Sequence, residues 1–162
     1  MHLPSEWKEF IGLLCSHRVR FLIVGAHALA AHGRPRATGD LDFLVEPTRA
    51  NARRLACALR AFGYDGLATQ AVEFAHPDRM ATMGVPPLRI DVMTSITGVT
   101  FKRAWAGRIT AKFGEYEIGF LGREDFLANK QASGRPKDLA DVALLLEGDD
   151  AHERARPRGK RG

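Results

Sequence analysis

Only two cysteines, Cys15 and Cys57, occur in 162 residues. They stand far apart on segments of helical spacing, which excludes a disulfide framework and makes them read as buried small apolar residues in a reduced compartment. No Cys/His cluster with metal-ligand spacing is present. His27 and His32 read as packing and helix-end residues rather than ligands. No apolar run is long enough to cross a bilayer, and no basic segment leads into an unbroken apolar one near the N-terminus. Trp7, Phe10, Ile11 and Leu14 recur there at the spacing of an amphipathic helix instead. A cytoplasmic protein without membrane contact is the expectation.

Excess charge is almost missing from the body of the chain. The formal net charge is +5, and all but one unit of it comes from the end, where Arg154, Arg156, Arg158, Lys160 and Arg161 face only Glu153. A Gly/Pro-interspersed basic tail over 149–162 is expected to be disordered, and it could add salt-sensitive attraction to RNA. Arg49, Arg53 and Arg60 fall on one face of a helical segment and read as a solvated stripe. With 45% hydrophobic and 27% charged residues, residues 1–148 suffice for one domain with a single core.

Periodicity predicts helices over Ser5 to His17, Ala26 to His32 and Thr48 to Phe62, the last stopped by Gly63. Strands are expected over Arg20 to Val24, Asp40 to Glu46, near Ala71 to Ala75, near Ala81 to Met83, and around Asp91. A short helix (Val99 to Ala106), two strands turning at Gly114, and helices over Glu124 to Ala132 and Pro136 to Glu147 complete an α/β (α+β) mixed sheet with helices packed on it.

Asp40-Leu41-Asp42 is the most informative feature. On a strand both carboxylates project from one face while Leu41 and Phe43 enter the core. Such crowding is relieved by a divalent cation, and Mg2+ favours carboxylates together with substrate phosphates. Upstream, the apolar run Phe21-Leu22-Ile23-Val24 enters Gly25-Ala26 and a small-residue helix, a turn where backbone can approach a phosphate. Asp91, in Leu88-Arg89-Ile90-Asp91-Val92-Met93, is a third acid on an apolar strand. No catalytic pattern is evident between Asp42 and Asp91.

Val24-Gly25-Ala26 followed by Arg36-Ala37-Thr38-Gly39-Asp40-Leu41-Asp42-Phe43 resembles the signature of the nucleotidyltransferase superfamily with the polymerase-beta-like fold. In particular it resembles small prokaryotic members related to AbiEii-type toxins and minimal nucleotidyltransferases. The resemblance covers about Phe21 to Glu147 and includes Lys130 and Gly134-Arg135-Pro136-Lys137-Asp138. It implies a nucleotidyltransferase fold with two C-terminal helices, and metal ligands Asp40, Asp42 and Asp91 for Mg2+ or Mn2+. Asp91 is also implied as the base. Gly25, Ala26, Arg36, Thr38 and Lys130 are implied to contact the NTP, with Asp138 supporting the site. The implied acceptor is a tRNA, a protein or a small molecule such as an aminoglycoside, and the implied setting is a toxin–antitoxin or phage-defence pair with a cognate partner. Ala26 departs from the pattern by lacking a hydroxyl. That feature leaves a second expectation open, a binding module that no longer catalyses.

Overall fold

Trp7, Phe10, Ile11 and Leu14 lie on one stripe of α1 (Ser5–Ser16) and are all buried. That stripe packs on a six-stranded sheet in a computed structural model describing residues 3–155. The strands are β1 (Phe21–Val24), β2 (Asp40–Val45), β3 (Met80–Val85), β4 (Leu88–Met93), β5 (Ile109–Phe113) and β6 (Tyr116–Phe120), ordered β3-β4-β2-β1-β6-β5. β1 runs antiparallel to β2 and parallel to β6, β2 runs parallel to β4, and the two outer hairpins are antiparallel. The mixed α/β architecture expected from the sequence is therefore present.

Alternation divides the sheet into two faces. Phe21, Ile23, Leu41 and Phe43 share one, where Phe10 meets Phe43 edge-on with centroids 5.3 Å apart and Phe62 at 5.1 Å. Each such buried ring contributes roughly 1.5–3 kcal/mol. The other face carries Leu22, Val24, Asp40, Asp42 and, in parallel register, Arg89 and Asp91. The apolar residues of β2 thus anchor the strand whose acids line the opposite side.

α2 (Ala26–Ala31) follows β1, and α3 (Arg49–Ala61) follows β2. Thr48 caps α3 by accepting from the Asn51 N–H at 3.2 Å. Asn51 itself is fully buried. Its Oδ1 accepts from Arg20 N at 2.7 Å, and its Nδ2 donates to the carbonyls of Arg20 and Glu46, each at 3.0 Å. These bonds fasten the start of β1 to the end of β2. Asn51→Ala strands buried backbone groups, so a loss of about 2 kcal/mol is expected, read as a lowered urea midpoint with an unchanged m-value.

Three expectations need correction. The segment Ala71–Ala75 is a 3-10 turn following an unanticipated α4 (Asp65–Gln70), not a strand. Ala68, Ala71 and Phe74 repeat every three residues and are buried, while Val72 is 67% exposed; alternation does not govern here. Cys15 and Cys57 are exposed, because each lies off the buried stripe of its helix. The last helix, α7 (Pro136–Ala155), runs beyond the expected stop at Glu147. Residues 149–155 of the tail expected to be disordered belong to α7, and 156–162 lie outside the described residues. α5 (Phe101–Ala106) and α6 (Arg123–Ser133) match their expected positions closely. Among the described residues no helix is long and apolar enough to cross a membrane.

His27 is buried between the rings of Trp7 and Phe113, with centroids 5.1 and 5.3 Å away, and burial lowers its pKa. His32 Nε2 pairs with the Leu121 carbonyl at 2.9 Å. Both histidines act as packing and helix-end residues, as the sequence suggested.

Candidate active site

The acids meet at one end of three strands. Asp42 stands opposite Val24 on one side and Asp91 on the other, while Asp40 stands opposite Arg89. Gly25 ends β1 at φ 70°, a conformation that favours glycine. A Cβ there would collide with the Asp42 carboxylate, so the missing side chain makes room for the acid. Gly25→Ala is expected to cost about 2 kcal/mol through backbone strain and the displaced carboxylate. Thermal unfolding of the variant measures it.

Burial raises the Asp42 pKa to about 6, helped by the charge of Asp91, a hydrogen bond between the two carboxyls and the charge of Asp40, while Lys130 opposes the rise. Asp42 therefore keeps its proton well above the ordinary carboxylate range. Thr82 Oγ1 donates to Asp91 Oδ1 at 2.7 Å. Arg89 Nη2 donates to Asp40 Oδ2 at 3.2 Å, and its Nε lies 3.2 Å from Asp40 Oδ1 and 3.7 Å from Asp91 Oδ2. Nε makes no hydrogen bond, because its approach to Asp40 is out of line.

A cleft of about 370 Å3 separates these acids from a second wall. Asn129, Lys130 and Ser133 of α6 form that wall with Arg135 and Asp138, and Ser95, Ile96 and Thr97 close one end. Lys130 Nζ lies 3.1 Å from Asp138 Oδ1 and 3.7 Å from Asp141 Oδ2, while Arg135 Nε binds Asp138 Oδ2 at 2.8 Å. Burial pushes the Asp138 carboxyl up, but hydrogen bonds from Ser133, Arg135 and Lys130 outweigh it and hold its pKa at about 2. Two further concavities, one beside His27 and one bordered by α3 and α4, have mainly apolar linings and contain none of these acids.

Six residues singled out in the sequence line this one cleft: Gly25, Asp40, Asp42, Asp91, Lys130 and Asp138. Three others do not. Arg36 makes a two-pronged pair with Asp141 at 2.9 and 3.2 Å. Thr38 Oγ1 accepts from the Asp40 N–H at 3.1 Å and so shapes the turn before β2. Ala26 is buried. Arg89, Thr82 and Asn129 were given no role in the sequence reading, and Arg135 and Asp141 entered it only as parts of the motif around Asp138. Arg89 had a readable signal, since a residue two before Asp91 on a strand shares its face; Thr82 had none, because its partnership depends on hairpin register.

The donor chemistry fits a hard divalent cation. Asp42 and Asp91 stand side by side in parallel register and present carboxylate oxygens to a cleft lined by no cysteine or histidine, its sulfurs being the weakly ligating thioethers of Met80 and Met93. Among the described residues, no three acids, histidines or cysteines are gathered as a ready ligand cage. Asp40 is instead held by Arg89.

A mixed sheet carrying Asp-x-Asp on one strand and a third acid on its parallel neighbour, above a cleft with a cationic far wall, has the nucleotidyltransferase fold. Two solved structures establish the likeness. A candidate nucleotidyltransferase from Thermotoga maritima, TM1012, aligns over 90% of this chain and 91% of its own, with TM-score 0.50 and 12% identity. The lincosamide antibiotic adenylyltransferase LnuA, solved with lincomycin, aligns over 88% and 96%, with TM-score 0.51 and 9% identity. At such identities the likeness is one of fold. No protein-family model matches the sequence. No curated protein matches it either.

Proposed function

We propose that the protein is a nucleotidyltransferase that moves a nucleoside monophosphate from an NTP to an acceptor hydroxyl and releases pyrophosphate. The observation that carries this reading is the contact pair Asp42 and Asp91, facing Lys130 across an open cleft. Asp42 and Asp91, with Asp40, would hold Mg2+ or Mn2+, which when bound supplies charge neutralisation at the phosphates. Lys130, anchored by Asp138 and Asp141, offers its ammonium to the triphosphate. The backbone at Gly25 borders the same space. The acceptor oxygen attacks the α-phosphorus as the bond to pyrophosphate breaks, and Asp91, oriented by Thr82, takes the hydroxyl proton.

Two acceptor classes follow from different observations. The likeness to a lincomycin-bound adenylyltransferase supports a small hydroxylated molecule. The Lys130 and Gly134-Arg135-Pro136-Lys137-Asp138 motifs support a tRNA or protein acceptor in a toxin–antitoxin setting. Buried Ala26, which offers no hydroxyl, favours the alternative of a nucleotide-binding module without transfer.

The test is incubation with Mg2+, each α-labelled NTP in turn, and separately tRNA, cell lysate or a panel of lincosamides and aminoglycosides. Label in one acceptor, absent with Asp40→Ala and Asp42→Ala, is the expected result. Transfer surviving both substitutions would sink the mechanism. NTP-dependent thermal stabilisation without any transfer would identify the binding module.

A further inference from the structure

Arg89 is an odd neighbour for acids that would share a cation. It lies on β4 in register with Asp40 and two residues before Asp91, so its side chain leaves the sheet on the face that carries all three acids. A purely structural arginine closes a two-pronged fork on one carboxylate, as Arg36 does on Asp141. Arg89 faces Asp40 with both prongs at 3.2 Å, but only Nη2 makes a hydrogen bond there, and its Nε also lies 3.7 Å from Asp91, so one guanidinium serves two acids. Its buried Nε is left without a hydrogen bond. A donor that lies beside two carboxylates but is aligned with neither contributes less than a closed fork, so Arg89 is held less firmly than Arg36.

The remaining cations on the cleft wall are paired away from the strand acids. Lys130 is bound to Asp138 and Asp141, and Arg135 to Asp138. Among the described residues lining the cleft, Arg89 is the cation ion-paired to the strand acids.

We propose that Arg89 holds the place of the divalent cation among Asp40, Asp42 and Asp91, and thereby makes metal binding depend on nucleotide binding. This rests on the nucleotidyltransferase reading. A divalent ion arriving alone has to displace the guanidinium from Asp40 and Asp91, and two cations at one cluster repel. An NTP arriving with the metal brings phosphate oxygens that suit the guanidinium fork. Arg89 then exchanges carboxylate for phosphate as the metal takes the acids. It is a positioning residue whose two partners alternate, and the coupling it creates is reciprocal between metal and nucleotide.

The experiment titrates Mn2+ into the full-length protein and counts free Mn2+ by electron paramagnetic resonance, with and without a non-hydrolysable NTP. For the wild type, nucleotide is expected to tighten Mn2+ binding by about tenfold or more. In Arg89→Gln, Mn2+ alone is expected to bind about tenfold tighter than in the wild type, with the effect of nucleotide reduced to about threefold or less. Mn2+ alone binding Arg89→Gln no more tightly than the wild type overturns the proposal. Circular dichroism checks the fold; if the Gln variant does not fold, the equally uncharged Arg89→Met takes its place, and unchanged Mn2+ binding there is equally decisive. Failure of the function reading is distinguishable. It shows as identical binding of Mn2+ with nucleotide by the wild type and Asp42→Asn, whereas the Arg89 proposal is read from the nucleotide-free arm.

Discussion

At pH 8, Asp42→Asn is expected to melt higher than the wild type while the transfer activity proposed above falls by on the order of a hundredfold or more. The two effects share one cause. In the fold the Asp42 pKa is about 6 against 3.8 for an ordinary aspartate. The folded state therefore keeps a proton that the unfolded chain has released. The stabilisation associated with that proton is fully present below pH 3.8 and is lost as pH rises through about 6. Above that pH the wild type carries a penalty of about 2–3 kcal/mol. Asparagine removes the charge but keeps a polar group against Asp91, so the melting temperature should rise by roughly 5–10 °C at pH 8. Below pH 4 the gap should close. Melting curves of both proteins across this range, alongside activity at pH 8, check the prediction; an unchanged melting temperature at pH 8 would refute the crowding argument.

Asp138→Ala is expected to produce the largest loss of stability. The carboxylate is 2% exposed and bonded to Lys130, Arg135 and Ser133. Removing it leaves the Lys130 ammonium, whose side chain is only 13% exposed, with Asp141 at 3.7 Å. Breaking a buried pair on one side costs about 3–4 kcal/mol, which corresponds to a drop of roughly 8–12 °C in melting temperature. The sign with pH is opposite to that of Asp42. The Asp138 pKa is depressed to about 2, so its ionic contribution is fully present above pH 3.8 and is lost as pH falls through 2. Denaturant unfolding at pH 7 and near pH 2 should show the variant's deficit shrinking in acid. A constant deficit would assign the effect to packing alone.

Much of this was legible because local rules and tertiary packing agree. The Asp40-Leu41-Asp42-Phe43 alternation survives intact, with acids on one face and apolar residues fully buried on the other. Gly25 was recognisable as a turn, and its positive φ explains why. The Ala71–Ala75 segment was misjudged because a five-residue, mostly apolar run is short enough to read as a strand, whereas packing selects Ala71 and Phe74 at helical spacing. Arg36 carries the charge expected of a phosphate contact, but its distance from the cleft is set by Asp141, a hundred-odd residues away in sequence. Asn51 was invisible for the same reason: its role is to satisfy backbone groups on two strands. Partners distant along the chain leave no local trace.

The anchoring of Lys130 also bears on the order of synthesis. Every strand acid, and Lys130 itself, precedes Asp138 and Asp141 in the chain, yet those two aspartates fix the lysine in place. A nascent chain that has exposed everything up to Ser133 already contains the whole acid cluster but faces it with an untethered far wall. Under the proposed reading, the cationic side of the centre is fixed only once α7 has emerged and folded, so that helix times the assembly of the site.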